Sequence, residues 1–178
     1  MKRLVLIMFS SLWFHQGIVA FPAERFPIPP ASANRLFYIQ RSSNANTVVY
    51  DANILPNKSL NPNQPVHTYW IRYADNGQKE ELNLIQRTLA YGLYTNKIKN
   101  EVNSFEGYFL AYRKRKFVVK LNAKNQAIAL FPINGKLQIL DRVFVSVDDS
   151  GYMPSVFYIE LFGRDQSTGK DVYERFKP

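Results

Sequence analysis

The residues of this chain best suited to chemistry lie between Val66 and Gly92. His67, Tyr69, Trp70, Arg72 and Tyr73 fall on an expected strand, and Glu80, Glu81, Arg87 and Tyr91 fall on an expected helix just after it. His67 is a candidate general base. Its acid partner would come from elsewhere in the fold, from Asp51, Glu81 or Glu160. With Asp51 or Glu81 as an alternative base and Arg72 stabilising developing negative charge, the set would suit a hydrolase.

A second set suggests binding rather than reaction. Arg41, Ser42, Asn44 and Asn46 cluster at the first expected hairpin. Trp70 and Arg72 share one face of their strand, because residues two apart point the same way. Arg87 sits on the helix beyond. A guanidinium offers a rigid fork of donors matched to carboxylate or phosphate. If Arg41, Arg72 and Arg87 converge, they form an anion pocket with Asn44 as a further donor and Trp70 or a tyrosine as its stacking wall. The plainer alternative is that Arg72 and Arg87 pair with Asp51, Glu80 or Glu81 as structural ion pairs.

Other chemistries lack the residues. There is no glycine-rich phosphate loop and no Gly-x-Ser-x-Gly elbow. The chain has 0 cysteines, so disulfides and thiolate sites are excluded. Outside the first twenty residues His67 stands alone, too few imidazoles for a histidine-based zinc site. Asp148-Asp149-Ser150-Gly151 reads as a weak calcium loop or, more simply, a solvated turn. No metal and no cofactor is expected. The basic run Arg113 to Lys116 follows Tyr108 and Tyr112, and suits a polyanion or a charged hairpin tip facing water.

The elements that must position these groups follow from the pattern. Residues 1–20 read as an export signal, with Lys2 and Arg3 before an apolar run and small residues up to Ala20. That run is too short to span a bilayer. Without a cysteine, lipid anchoring at the cleavage point is excluded, which places the chain in the periplasm or outside the cell. Residues 21–33 hold Pro22, Pro27, Pro29 and Pro30 and read as an extended linker or a docked arm. Residues 34–178 make a single β-rich domain. The net charge of +9 favours anionic partners, a small anionic or amphipathic ligand above nucleic acid.

Period-two alternation predicts strands over Arg35–Arg41, Asn46–Asn53, Val66–Tyr73, Phe105–Tyr112, Phe117–Leu121, Ala127–Ile133, Lys136–Val147, Pro154–Phe162 and Val172–Phe176. Asn134-Gly135 predicts a type I′ hairpin turn. Leu82, Ile85, Leu89 and Leu93 form a helical stripe over Glu80–Tyr91, and Tyr94–Ser104 reads as a surface connection. The expected class is mainly β: an antiparallel barrel-like or sandwich sheet of about eight or nine strands with one packed α-helix.

Val48-Val49-Tyr50-Asp51-Ala52-Asn53, Tyr69-Trp70-Ile71-Arg72-Tyr73 and Glu80-Glu81-Leu82-Asn83 resemble a family of small exported bacterial proteins carrying a domain of unknown function. The resemblance spans about Asn34 to Lys177 and implies no activity and no catalytic residues. The residues themselves leave three readings: a non-enzymatic binding module for a small anionic or amphipathic ligand, a hydrolase, or a structural or partner-binding envelope protein.

Overall fold

The computed structural model describes residues 26–148, 150 and 155–178. The expected export signal over residues 1–20, the start of the Pro-rich stretch, and Asp149 and Gly151 of the acidic turn lie outside the described residues.

The fold is two antiparallel meanders joined along one edge. The first runs β1 (Arg35–Arg41), β2 (Asn44–Ala52), β3 (Val66–Arg72) and β4 (Gln78–Glu81). The second runs β5 (Leu93–Lys97), β6 (Ser104–Phe109), β7 (Tyr112–Leu121), β8 (Ala127–Ile133) and β9 (Lys136–Asp148). Asn134 and Gly135 turn the β8–β9 hairpin with φ of 50° and 76°, the positive values a type I′ turn needs. The path is β4-β3-β2-β1-β9-β8-β7-β6-β5, and the hairpin of β10 (Ser155–Arg164) and β11 (Asp171–Phe176) pairs with the other edge of β9.

The expectation of a purely antiparallel sheet is corrected at the join. β1 and β9 pair in parallel, from Tyr38 opposite Arg142 to Arg41 opposite Val145. The cause is a mismatch in length. β9 has 13 residues and β8 has 7, so β8 covers only Lys136–Ile139 and leaves the rest of that edge unpaired. β1 fills it, and no short turn dictates its direction because the two strands are far apart in sequence. The result is a curled, mixed sheet forming a half-barrel.

The expected helix over Glu80–Tyr91 is also corrected. Glu80 and Glu81 are strand residues, paired with Trp70 and Tyr69. Only a π-type turn, Gln86–Ala90, is helical beyond Leu84 and Ile85. The supposed core stripe is not one: Leu82 is buried, while Ile85 and Leu89 are 67% and 69% exposed. Hydrogen-bonding to β3 keeps the chain extended until Glu81. The remaining residues then link β4 to β5, the two ends of the strand path. The expected surface connection after Tyr94 contains β5 instead. No helix among the described residues is long and apolar enough to cross a membrane.

The two wings share one core. Phe37 and Tyr50 stack at 4.4 Å on the first wing. Phe109 of the second meets both edge-on at 5.9 Å and packs against Phe117 and Phe131. On the outer face Val49, Tyr69 and Ile71 form a smaller cluster with Tyr38 and Tyr73. Residues 26–30 dock on that side: Gln40 Nε2 donates to Pro27 O (3.0 Å), Tyr73 OH to Ile28 O (3.2 Å) and Arg35 Nη2 to Pro30 O (3.2 Å).

Candidate functional site: an apolar cavity with one guanidinium

Alternation on β1 points Phe37, Ile39 and Arg41 to the inner face of the half-barrel. Aromatic rings fill the volume beside Phe37. Farther along, β9 offers only Val143, Val145 and Val147, which are too short to reach across. A cavity of about 590 Å³ remains there. It is lined by those valines with Ile39, Ile159 and Leu161 and by the rings of Phe109, Phe131, Tyr112 and Phe176. Leu89, Ala90 and Tyr91 of the crossing segment and Val156 of β10 form part of its border. Such a volume and such a lining are those of a small-molecule site.

Arg41 is the single charged side chain lining it. Its guanidinium carbon lies 5.0 Å from the centre of the Trp70 ring and 5.6 Å from that of Tyr91. Those two rings meet edge-on at 5.1 Å, and Trp70 Nε1 donates to Gln86 Oε1 at 3.1 Å. Nη2 of Arg41 donates to Asn44 Oδ1 (3.2 Å), while Nε is buried with no hydrogen-bond partner. None of the ion pairs among the described residues includes Arg41. Burial pushes the Tyr91 hydroxyl pKa up, against the opposing charge of Arg41. Tyr91 is therefore a neutral wall at physiological pH.

Of the binding residues expected from sequence, the structure brings together Arg41, Asn44 and Trp70. Arg72 is held instead by Asp75 (Nε, 3.0 Å) and Glu80 (Nη1, 3.1 Å). Arg87 donates to Glu81 Oε2 (3.0 Å) and, through Nε, to Leu82 O (2.9 Å). Neither lines the cavity. Of the expected catalytic set, His67 meets one of its expected acids, Glu81, and faces Asp51 across the β2–β3 ladder, while Glu160 lies elsewhere and none of them lines the cavity. His67 Nε2 meets Glu81 Oε1 at 2.7 Å, with the two side chains 36% and 54% exposed. Asp51 lies on the outer face, where it accepts from Arg35 Nε (2.6 Å) and Tyr69 OH (2.9 Å). Glu160 accepts from Tyr173 OH (2.7 Å) and Arg175.

Asp148 accepts hydrogen bonds from the N–H and hydroxyl of Ser150, which form the turn and hold its carboxyl below the usual range. Tyr91 was noted in sequence but not assigned to the binding set, and the inner valines were not singled out as site residues. The valines' one signal is period-two alternation, which is identical for a filled core and for a cavity wall.

The family model described as a domain of unknown function (DUF4833) matches residues 37–175. No curated protein and no solved structure matches the chain.

Proposed function

We propose a function from one premise: the chain belongs to that family of domains of unknown function. The family description names no activity, so the site must supply the argument. The chain is an exported, non-enzymatic binding module for a small amphipathic ligand with an anionic head. The ligand's apolar part lies along Val143, Val145 and Ile159, and its head meets Arg41. One observation carries this reading: the only charged side chain on an apolar cavity of about 590 Å³ is a guanidinium with no acid partner among the described residues and a buried, unpaired N–H. A buried donor without a partner costs about 1–3 kcal/mol. That buried Nε is out of reach from the cavity, so an anionic head would meet the guanidinium through its other N–H groups, and such a charge-assisted bond is among the stronger ones.

Size supports a single chain. A methylene takes up about as much room as a water molecule, roughly 30 Å³, so the cavity holds on the order of twenty such units before packing losses. Export is supported by the leader-like pattern of residues 1–20.

A thermal-shift screen tests the reading. Single-chain carboxylates and alkyl phosphates should raise the melting temperature of the purified protein, and the matching alcohols should raise it much less. No shift with any anionic amphiphile near saturation would sink it.

A further inference from the structure

We propose that the mouth of the cavity docks on an anionic lipid bilayer, which is the source of the ligand. For what is exchanged, the inference rests on the cavity reading above; the docking itself rests on separate observations. The crossing segment presents Leu84, Ile85 and Leu89 to solvent at 77%, 67% and 69% exposure. Phe157 on β10 is 55% exposed, next to Val156. Leu89 and Val156 also line the cavity, so this apolar rim is continuous with the apolar interior. Several large apolar groups left in water on segments that also line the cavity mark a surface that something covers.

Charge selects the occupant. Three of the segments that supply lining residues are 83–91, 109–114 and 155–159. They contain no aspartate and no glutamate, and their charges are Arg113, Lys114 and Arg87, the last of these paired with Glu81. Arg113 and Lys114 directly follow Tyr112, which lines the cavity, and are exposed. Apolar groups that insert, ringed by cations that meet head groups, match an anionic membrane surface. The chain is basic, at +9 in full and +7 without residues 1–20 (Lys2 and Arg3 removed, no acid), so its long-range field points the same way. A second copy of the chain would bring its own cations against these.

Co-sedimentation with vesicles tests this. The full mature chain is mixed with vesicles of phosphatidylcholine alone, or with phosphatidylglycerol added. The intact protein should bind the anionic vesicles about ten-fold more strongly, and salt should weaken that binding. The double variant Leu84→Ser/Ile85→Ser and the variant Phe157→Ser should each lose about ten-fold in vesicle binding. Both should keep the melting temperature and still bind a soluble fluorescent acyl carboxylate, because none of these three side chains lines the cavity. Full vesicle binding by the variants, or equal binding to both vesicle types, overturns the docking and leaves the cavity reading untouched. Vesicle binding by a protein that never takes up the acyl probe overturns the cavity reading and leaves the docking standing. A protein that ignores vesicles and sediments as a dimer overturns the proposal and gives the rim to a second copy.

Discussion

The Arg41 guanidinium sits 5.0 Å over the Trp70 ring while its Nε stays buried without an acceptor. The stacking contributes about 0.5–1 kcal/mol at a partly exposed site. The unmet donor opposes it at about 1–3 kcal/mol when fully buried, and Arg41 is only half-buried. Replacing Arg41 with Met should therefore change the stability of the free protein by no more than about 1 kcal/mol. The gain from an anionic amphiphile should fall sharply. At a hundred-fold excess over Kd that gain is about 2.7 kcal/mol for the intact protein. Thermal unfolding with and without ligand measures both. An undiminished ligand-induced shift in Arg41→Met would remove Arg41 from the site.

Tyr50 ties the crossing segment to the core, because its buried hydroxyl donates to Tyr91 O at 2.9 Å. Tyr50→Phe should cost about 1 kcal/mol near neutral pH. Its alkaline behaviour gives a sharper test. Burial first, and the charge of Tyr91 second, raise the Tyr50 pKa well above its ordinary value. Above pH ~10 the unfolded chain loses this proton while the folded chain keeps it, so stability falls as pH rises from there towards the folded value. Denaturant titrations between neutral and alkaline pH should show a steeper loss for the intact protein than for Tyr50→Phe. Parallel slopes would contradict the burial of that hydroxyl as the cause.

Much of this architecture was legible because local rules decided it. Asn134-Gly135 fixed a hairpin through two positive φ angles, and the alternation of Val143, Val145 and Val147 fixed which face looks inward. The β1–β9 pairing was not legible, since no turn joins those strands and only the spare length of β9 invites β1. The helix was misread at Glu80 and Glu81. Their placement suits the first turn of a helix, but pairing with Tyr69 and Trp70 decides their conformation. Within the site, Arg41, Asn44 and Trp70 could be named from residue type. That Arg41 is free of acids while Arg72 and Arg87 are held by Asp75, Glu80 and Glu81 depends on distances that no spacing rule contains.

Glu174 on β11 clasps the second wing. It accepts two bonds from Arg115 (2.7 and 3.0 Å) and one from the Asn134 N–H (2.7 Å). Burial alone would raise its carboxyl pKa, but the bonds from Arg115 and Asn134 and the Arg115 charge hold it below the usual value. A depressed carboxylate stabilises the fold above the unfolded pKa of about 4.3 and loses that contribution as pH falls through the folded value. Glu174→Gln should thus lower stability by about 1–3 kcal/mol at pH 7 and flatten the acid limb below about pH 5. Urea midpoints across that range check it. A variant with the same acid limb as the intact protein would mean that other carboxylates govern acid unfolding.

The bend that curls the sheet depends on a missing side chain at Gly163. Pairing between β9 and β10 shifts there: Phe162 faces Arg142, and Gly163 faces Leu140, so Asp141 is skipped. A Cβ on Gly163 would overlap the Ile139 carbonyl oxygen and lie 2.9 Å from Ile133 Cδ1. The backbone cannot yield cheaply at this point, because Ile139 is also paired to Leu130 on its other edge. Gly163→Ala should cost about 1–3 kcal/mol by forced displacement. The neighbouring ion pair of Arg164 with Asp141 (2.7 Å, side chains 50% and 39% exposed) offers a contrast at the same bend. Arg164→Ala should cost under about 1 kcal/mol, because exposed pairs are screened by water and salt. Urea unfolding of the two variants separates the causes. If Arg164→Ala is the costlier, the bend is held by charge; if Gly163→Ala is, it is held by how closely two backbones approach.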